Sequence, residues 1–147
     1  MKNLQPDERA HWARRYVGRP FLSGGAGPAG YDCWGLVRAF YAQAHGVRIP
    51  PAGRNADDLR DVRAGFADNR LYGGWEKVRA PHDGDAVLMR QGRHVCHVGL
   101  WADIDGGRVV HAMPGVGVTA MKDVSVAGYE IDSFWRWRGL RNRPQSI

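Results

Sequence analysis

No long apolar run occurs in this sequence. None of its segments approaches the roughly 20 consecutive apolar residues that a bilayer-spanning helix requires, so no membrane span is expected. Cysteine is scarce: Cys33 and Cys96 are the two thiols of the chain, too few and too far apart for a disulfide framework. The opening stretch MKNLQPDERAHW carries no apolar segment behind its charges, so a secretory signal is not expected and synthesis in the cytoplasm is. Internal repeats and low-complexity tracts are missing. No Cys/His spacing resembles a paired zinc-ligand motif, so no metal is expected. Net charge is +6, yet the arginines are scattered and form no basic arm. With no recognition motif either, nucleic acid is not an expected partner. The surplus charge is read as solubility or as attraction to an anionic surface such as a cell wall.

What remains is an ordinary globular composition, 44% hydrophobic and 24% charged, in a length that suits one domain over residues 1–147. PDERAHWARRYVG reads as a short helix, with Pro6 in its first turn and Gly18 as its stop. A glycine- and proline-rich loop follows. From Cys33 the apolar residues Leu36, Val37, Phe40, Tyr41 and Ala44 recur at helical spacing, and Gly46 closes the run. Asn55 can cap a third helix over Ala56 to Ala67. After Gly73 the pattern changes to short segments rich in β-branched and aromatic residues: WEKVRA, DAVLMR, VCHVGLWA, RVVHAM, GVTAM and SFWRWR. Helices followed by hairpin-connected strands predict an α+β domain built around an antiparallel sheet, with a loose tail over 141–147.

Cys33 stands where the glycine-rich loop meets a helix. Unpaired N–H groups and the helix dipole at such a start lower a thiol pKa and raise the nucleophilic thiolate fraction. Asp32, one residue before, is a candidate cap. On position alone packing is favoured over reaction, because cysteine is among the most buried residue types. A nucleophilic cysteine also needs a base, usually histidine. Of six histidines, His11, His45 and His82 fall on helices or turns and His94 at a strand entrance, whereas His97 and His111 fall within successive strands. If Asp103–Asp105 forms the hairpin loop, Trp101 faces Gly107 and His97 faces His111 on one sheet face. Cys96 then points to the other face and is read as core packing.

DCWGLV opening a helix, GDAVLM opening a strand, HVGLW in the next and VVHA in the one after resemble, in order and spacing, the NlpC family of papain-like cell-wall cysteine peptidases. The likeness runs from about Trp12 to Val118. It implies a papain-like, NlpC-type fold with N-terminal helices and the nucleophile helix packed on a central antiparallel β-sheet. It also implies Cys33 as nucleophile, His97 as general base and then acid, and His111 as the residue that orients His97, with no cofactor. Phe21, Tyr31, Asp32 and Trp34 are the implied substrate-binding positions. Two of them depart from the family pattern: Phe21 stands where a tyrosine is usual, and Trp34 replaces a small polar residue beside the nucleophile. Trp34 and the closing FWRWR look more like the phage-tail and prophage branch. The implied reaction is hydrolysis of a peptidoglycan stem peptide, commonly between γ-D-glutamate and the diamino acid, with other phage tail proteins as partners and a virion location. A structural tail component of the same fold, or an amidase or acyltransferase, are the alternatives.

Overall fold

A computed structural model describes residues 11–50 and 74–139. The expected start of the first helix at Pro6, the helix over Ala56 to Ala67 with its Asn55 cap, and the tail at 141–147 lie outside the described residues. Helix α1 is the short segment Ala13–Tyr16, and Gly18 ends the turn at a positive φ of 94°. Helix α2 runs from Cys33 to His45. Its start is fixed by Asp32, whose two carboxylate oxygens accept from the N–H groups of Gly35 (2.7 Å) and Gly24 (2.8 Å). Its end is fixed by Gly46 in the left-handed region.

Six antiparallel strands follow: β1 Trp75–Val78, β2 Ala86–Gln91, β3 His94–Ala102, β4 Arg108–Met113, β5 Gly117–Met121 and β6 Glu130–Trp137. All six expected strands are present, but not all are joined as neighbouring hairpins. Their order is β1-β6-β2-β3-β4-β5, because β6 returns to lie between β1 and β2. A 3-10 turn over Val124–Ala127 precedes that return.

The sheet has two unlike faces. Leu36, Val37, Phe40 and Tyr41 of α2 bury themselves against Ala86, Leu88, Val98, Leu100, Val110 and Ala112. The alternate residues Val87, Met89 and Val109 form a smaller cluster with Val124, flanked by Trp101, Tyr129, Ile131 and Phe134. Beside β2, Asp85 is buried in a fork of bonds from Arg136 at 2.8–3.2 Å, as well as accepting from the His82 N–H. The turn that leads into β2 is therefore also one half of an ion pair in which Asp85 is buried and Arg136 half-buried.

Candidate active site

Two chain segments bring the first residue of α2 to one end of the sheet. Tyr31 donates its N–H to the Pro20 carbonyl, and two backbone bonds of 2.9 Å tie the preceding turn to β5, the Gly18 N–H donating to the Val118 carbonyl and the Val118 N–H to the Arg19 carbonyl. Val118 pairs with Ala112, the neighbour of His111. The far end of α2 is tied to the opposite end of the sheet, where the Tyr41 hydroxyl donates to the Gly84 carbonyl and Gly84 donates to Trp101. Glycine is required at the helix start. A Cβ on Gly35 would lie 1.7 Å from the Gly25 carbonyl oxygen, so only hydrogen lets the loop dock there.

At that end β3 and β4 part. Their ladder covers only Leu100–Ala102 against Arg108–Val110. Beyond it β3 goes on pairing with β2 as far as His94, and β4 with β5 as far as Met113. His97 and His111 flank the opening and bond across it, Nε2 of His97 lying 2.8 Å from Nδ1 of His111. Gly99 permits the approach: a Cβ there would stand 2.7 Å from the Val110 carbonyl oxygen and 3.0 Å from the His111 Cβ.

The hairpin register differs from expectation. Trp101 faces Val109, not Gly107, and Ala102 faces Arg108. The loop takes in both glycines because Asp105, Gly106 and Gly107 all have positive φ, and the Gly107 N–H closes on the Ile104 carbonyl at 2.9 Å. The slip is two residues, so each histidine keeps its face, and the pair meets diagonally rather than directly across. Cys96 is also placed differently. It is the extra residue of a bulge between Met89↔His97 and Arg90↔Val95, half-buried and outside both core clusters.

Both histidines are held neutral. Burial pushes His97 down to about 3, with the neighbouring His111 adding to the shift, and burial pushes His111 down to about 4. Nε2 of His111 has no hydrogen-bond partner among the described residues. Tyr129 lies flat on His97, ring centres 4.5 Å apart and planes 10° from parallel. Nothing in the sequence pattern singled it out, since it precedes β6 and is far from every motif.

Cys33 is buried at the first position of α2 and is not in a disulfide. Asp32 is buried and spent on capping. Trp34 is only 2% exposed and donates its indole N–H to the Pro50 carbonyl at 2.9 Å, which makes it an anchor for the segment after α2. Tyr31 is buried edge-on against Tyr16, and Phe21, half-buried, pairs with it through an isolated parallel bridge. Phe21 is thus the one of the four implied substrate-binding side chains with appreciable exposure. His11 bonds Asp83 at 2.6 Å and His45 stacks on Tyr41, so neither joins the pair. Among the described residues no group of three or more His, Cys, Asp or Glu side chains is arranged to hold a metal ion. No described helix is long and apolar enough to cross a membrane.

The profile of the NlpC/P60 family matches residues 18–134, a span that holds the helix, the opening and both histidines. This chain belongs to the NlpC/P60 family. That family is one of cysteine peptidases, and the antiparallel sheet with its helix is its papain-like domain. The chain is 28% identical over 107 residues to Protein P54 of Enterococcus faecium, covering 72% of this chain and 18% of that protein. It therefore spans less than a fifth of the length of that relative. The crystal structure of the NlpC/p60 domain of peptidoglycan hydrolase SagA is similar at 26% identity and a TM-score of 0.54, over 81% of this chain and 89% of that one.

Proposed function

We propose that this chain is a peptidoglycan-hydrolysing cysteine peptidase in which Cys33, His97 and His111 act together. The observation that carries the reading is the His97–His111 bond across the opening between β3 and β4, at the end of the sheet to which the start of α2 is tied. The distances are compatible with it. Cys33 lies about 12 Å back along α2 from Tyr41, at about 1.5 Å per residue. His97 lies about 13 Å along β3 from Trp101, at about 3.3 Å per residue. Alternation assigns the histidines to the face away from α2, so thiol and imidazole would meet in the gap where the two strands separate.

The bond to His111 occupies Nε2 of His97 and leaves Nδ1 for chemistry. In this reading His97 donates its Nε2–H to His111 Nδ1, so Nδ1 carries the lone pair that takes the Cys33 proton. The thiolate attacks a stem-peptide carbonyl, and N–H groups at the start of α2 stabilise the oxyanion. His97 returns the proton to the leaving amine as the C–N bond breaks, giving a thioester. Water, deprotonated by His97, attacks the thioester and regenerates the thiol.

The bond cut is proposed to be that between γ-D-glutamate and the diamino acid. Resemblance of Trp34 and FWRWR to the phage-tail branch supports a tail-borne enzyme acting at the host wall, beside other tail proteins. Cys33→Ala is expected to abolish peptide release from purified sacculi while leaving the far-ultraviolet circular dichroism unchanged. Mass analysis of the released muropeptides reads the bond. Undiminished release by the variant would sink the peptidase reading, and its absence from purified virions by immunoblot would sink the tail location.

A further inference from the structure

We propose that Tyr129 is a positioning residue for His97, its ring face favouring the imidazolium that forms when His97 takes the Cys33 proton. The proposal rests on the peptidase reading and adds a residue outside the triad. In the step concerned, the Sγ–H bond of Cys33 breaks and an Nδ1–H bond forms on His97. A neutral pair becomes a thiolate and an imidazolium.

Among the described residues, the surroundings of His97 do little else to favour that charge. His111 faces it from β4, and Met89 pairs with it from β2. Tyr129 covers it from the segment before β6, and the peptidase reading adds Cys33 at the start of α2. None of these is a carboxylate. Burial and the neighbouring His111 both oppose protonation. The face of an aromatic ring is negative, and a cation stacked on it is stabilised most when water is excluded. Tyr129 offers that face at 4.5 Å and nearly parallel, while its ring stands 6.2 Å from that of His111 at 85°.

The backbone presents the ring deliberately. Asp123 accepts from the Ser125 N–H and hydroxyl, Val124 is buried beneath the 3-10 turn, and the Tyr129 N–H returns to the Val124 carbonyl at 3.2 Å. Gly128, at a φ of 88°, makes the reversal that points the ring back over the sheet.

The test follows alkylation of Cys33 by iodoacetamide against pH, read by mass spectrometry of the Cys33 peptide so that Cys96 does not interfere. This readout needs no peptidoglycan. Tyr129→Leu keeps an apolar cover over His97 but removes the aromatic face. It is expected to slow alkylation at neutral pH about tenfold and to raise the midpoint of the profile by about one unit. Tyr129→Phe keeps the face and is expected to stay within about twofold of the parent. Release of peptides from sacculi should follow the same order. Should Tyr129→Leu fail to fold, Tyr129→Met carries the same expectation. Parent-like profiles in the leucine or methionine variant, or equal slowing in leucine and phenylalanine, would overturn the role of the ring face. A parent protein whose Cys33 shows no thiolate below the ordinary thiol range, and which releases nothing from sacculi, would overturn the peptidase reading itself.

Discussion

The two faces of the sheet are covered in opposite ways. On one, the 13-residue helix α2 lays Leu36, Val37, Phe40 and Tyr41 on a largely apolar surface. On the other, a four-residue 3-10 turn and Tyr129 cover a smaller patch in which two histidines are buried among Val87, Met89 and Val109. The first face gains stability from every side chain placed on it. The second accepts a cost, since desolvating two imidazoles opposes their protonation and leaves His111 Nε2 without a partner among the described residues. The helix side is built for stability, and the proposed chemistry falls on the other. In the proposed reading the start of α2 meets the histidines at the gap between β3 and β4.

The largest expected effect tests the helix side. Leu100 is fully buried under α2, and Leu100→Ala removes its contacts and leaves a cavity. A loss of about 2–5 kcal/mol in urea unfolding is expected, with specific activity of the folded fraction retained. A loss below about 1 kcal/mol would mean that the helix does not anchor the sheet as described.

The histidine side should show itself in pH dependence. The folded values, about 3 for His97 and about 4 for His111, lie below the ordinary 6.5, so the unfolded chain binds protons first as pH falls. Stability from keeping them neutral is therefore complete above about pH 6.5 and declines as pH falls toward the folded values. Each group contributes up to about 1.4 kcal/mol per pH unit between about pH 6 and 5. His111→Asn removes one titrating ring but keeps an acceptor for the His97 Nε2–H. Denaturant midpoints across that window should lose about one proton's worth of slope, with peptide release kept within about tenfold. His111→Leu, with no acceptor, should lose about a hundredfold or more. An unchanged slope in the asparagine variant would contradict the neutral, buried histidine.

The sequence announced these two sides unequally. Helical spacing from Leu36 to Ala44, the cap at Asp32 and the stop at Gly46 disclosed α2 to the residue, because periodicity and caps are local signals. The six strands were legible for the same reason. The return of β6 between β1 and β2 was not, since pairing partners distant in sequence leave no mark on the pattern. The shared face of His97 and His111 survived an error in loop length, because a two-residue slip preserves alternation. Tyr129 was invisible, as an aromatic before a strand looks like any other. Trp34 carried a bond that no local pattern discloses. Its place beside Cys33 and the family likeness imply a cleft residue, and the structure adds that its indole N–H donates to the Pro50 carbonyl.

The smallest expected effect probes how lightly the histidine side is closed. Asp123 is exposed, and its whole contribution is local: Oδ1 accepts from the Ser125 N–H at 3.0 Å and from the Ser125 hydroxyl at 2.6 Å. These bonds hold its carboxyl below the ordinary carboxylate range. Asp123→Ala removes the cap of the turn that carries Val124 and Tyr129, and it touches nothing on the helix side. Amide exchange at residues 124–129 should speed about fivefold, while exchange in α2 stays as it was. Acid should imitate the substitution. The cap is intact above the ordinary carboxylate pKa and is lost as pH falls through the lowered value, so parent and variant should exchange alike once Asp123 is protonated. If Tyr129 is held over His97 by this turn, the alkylation profile of Cys33 should shift in the Asp123→Ala protein in the same direction as in Tyr129→Leu, and by less. A shift in exchange with no shift in the profile would show that the ring keeps its place through its contacts with the sheet.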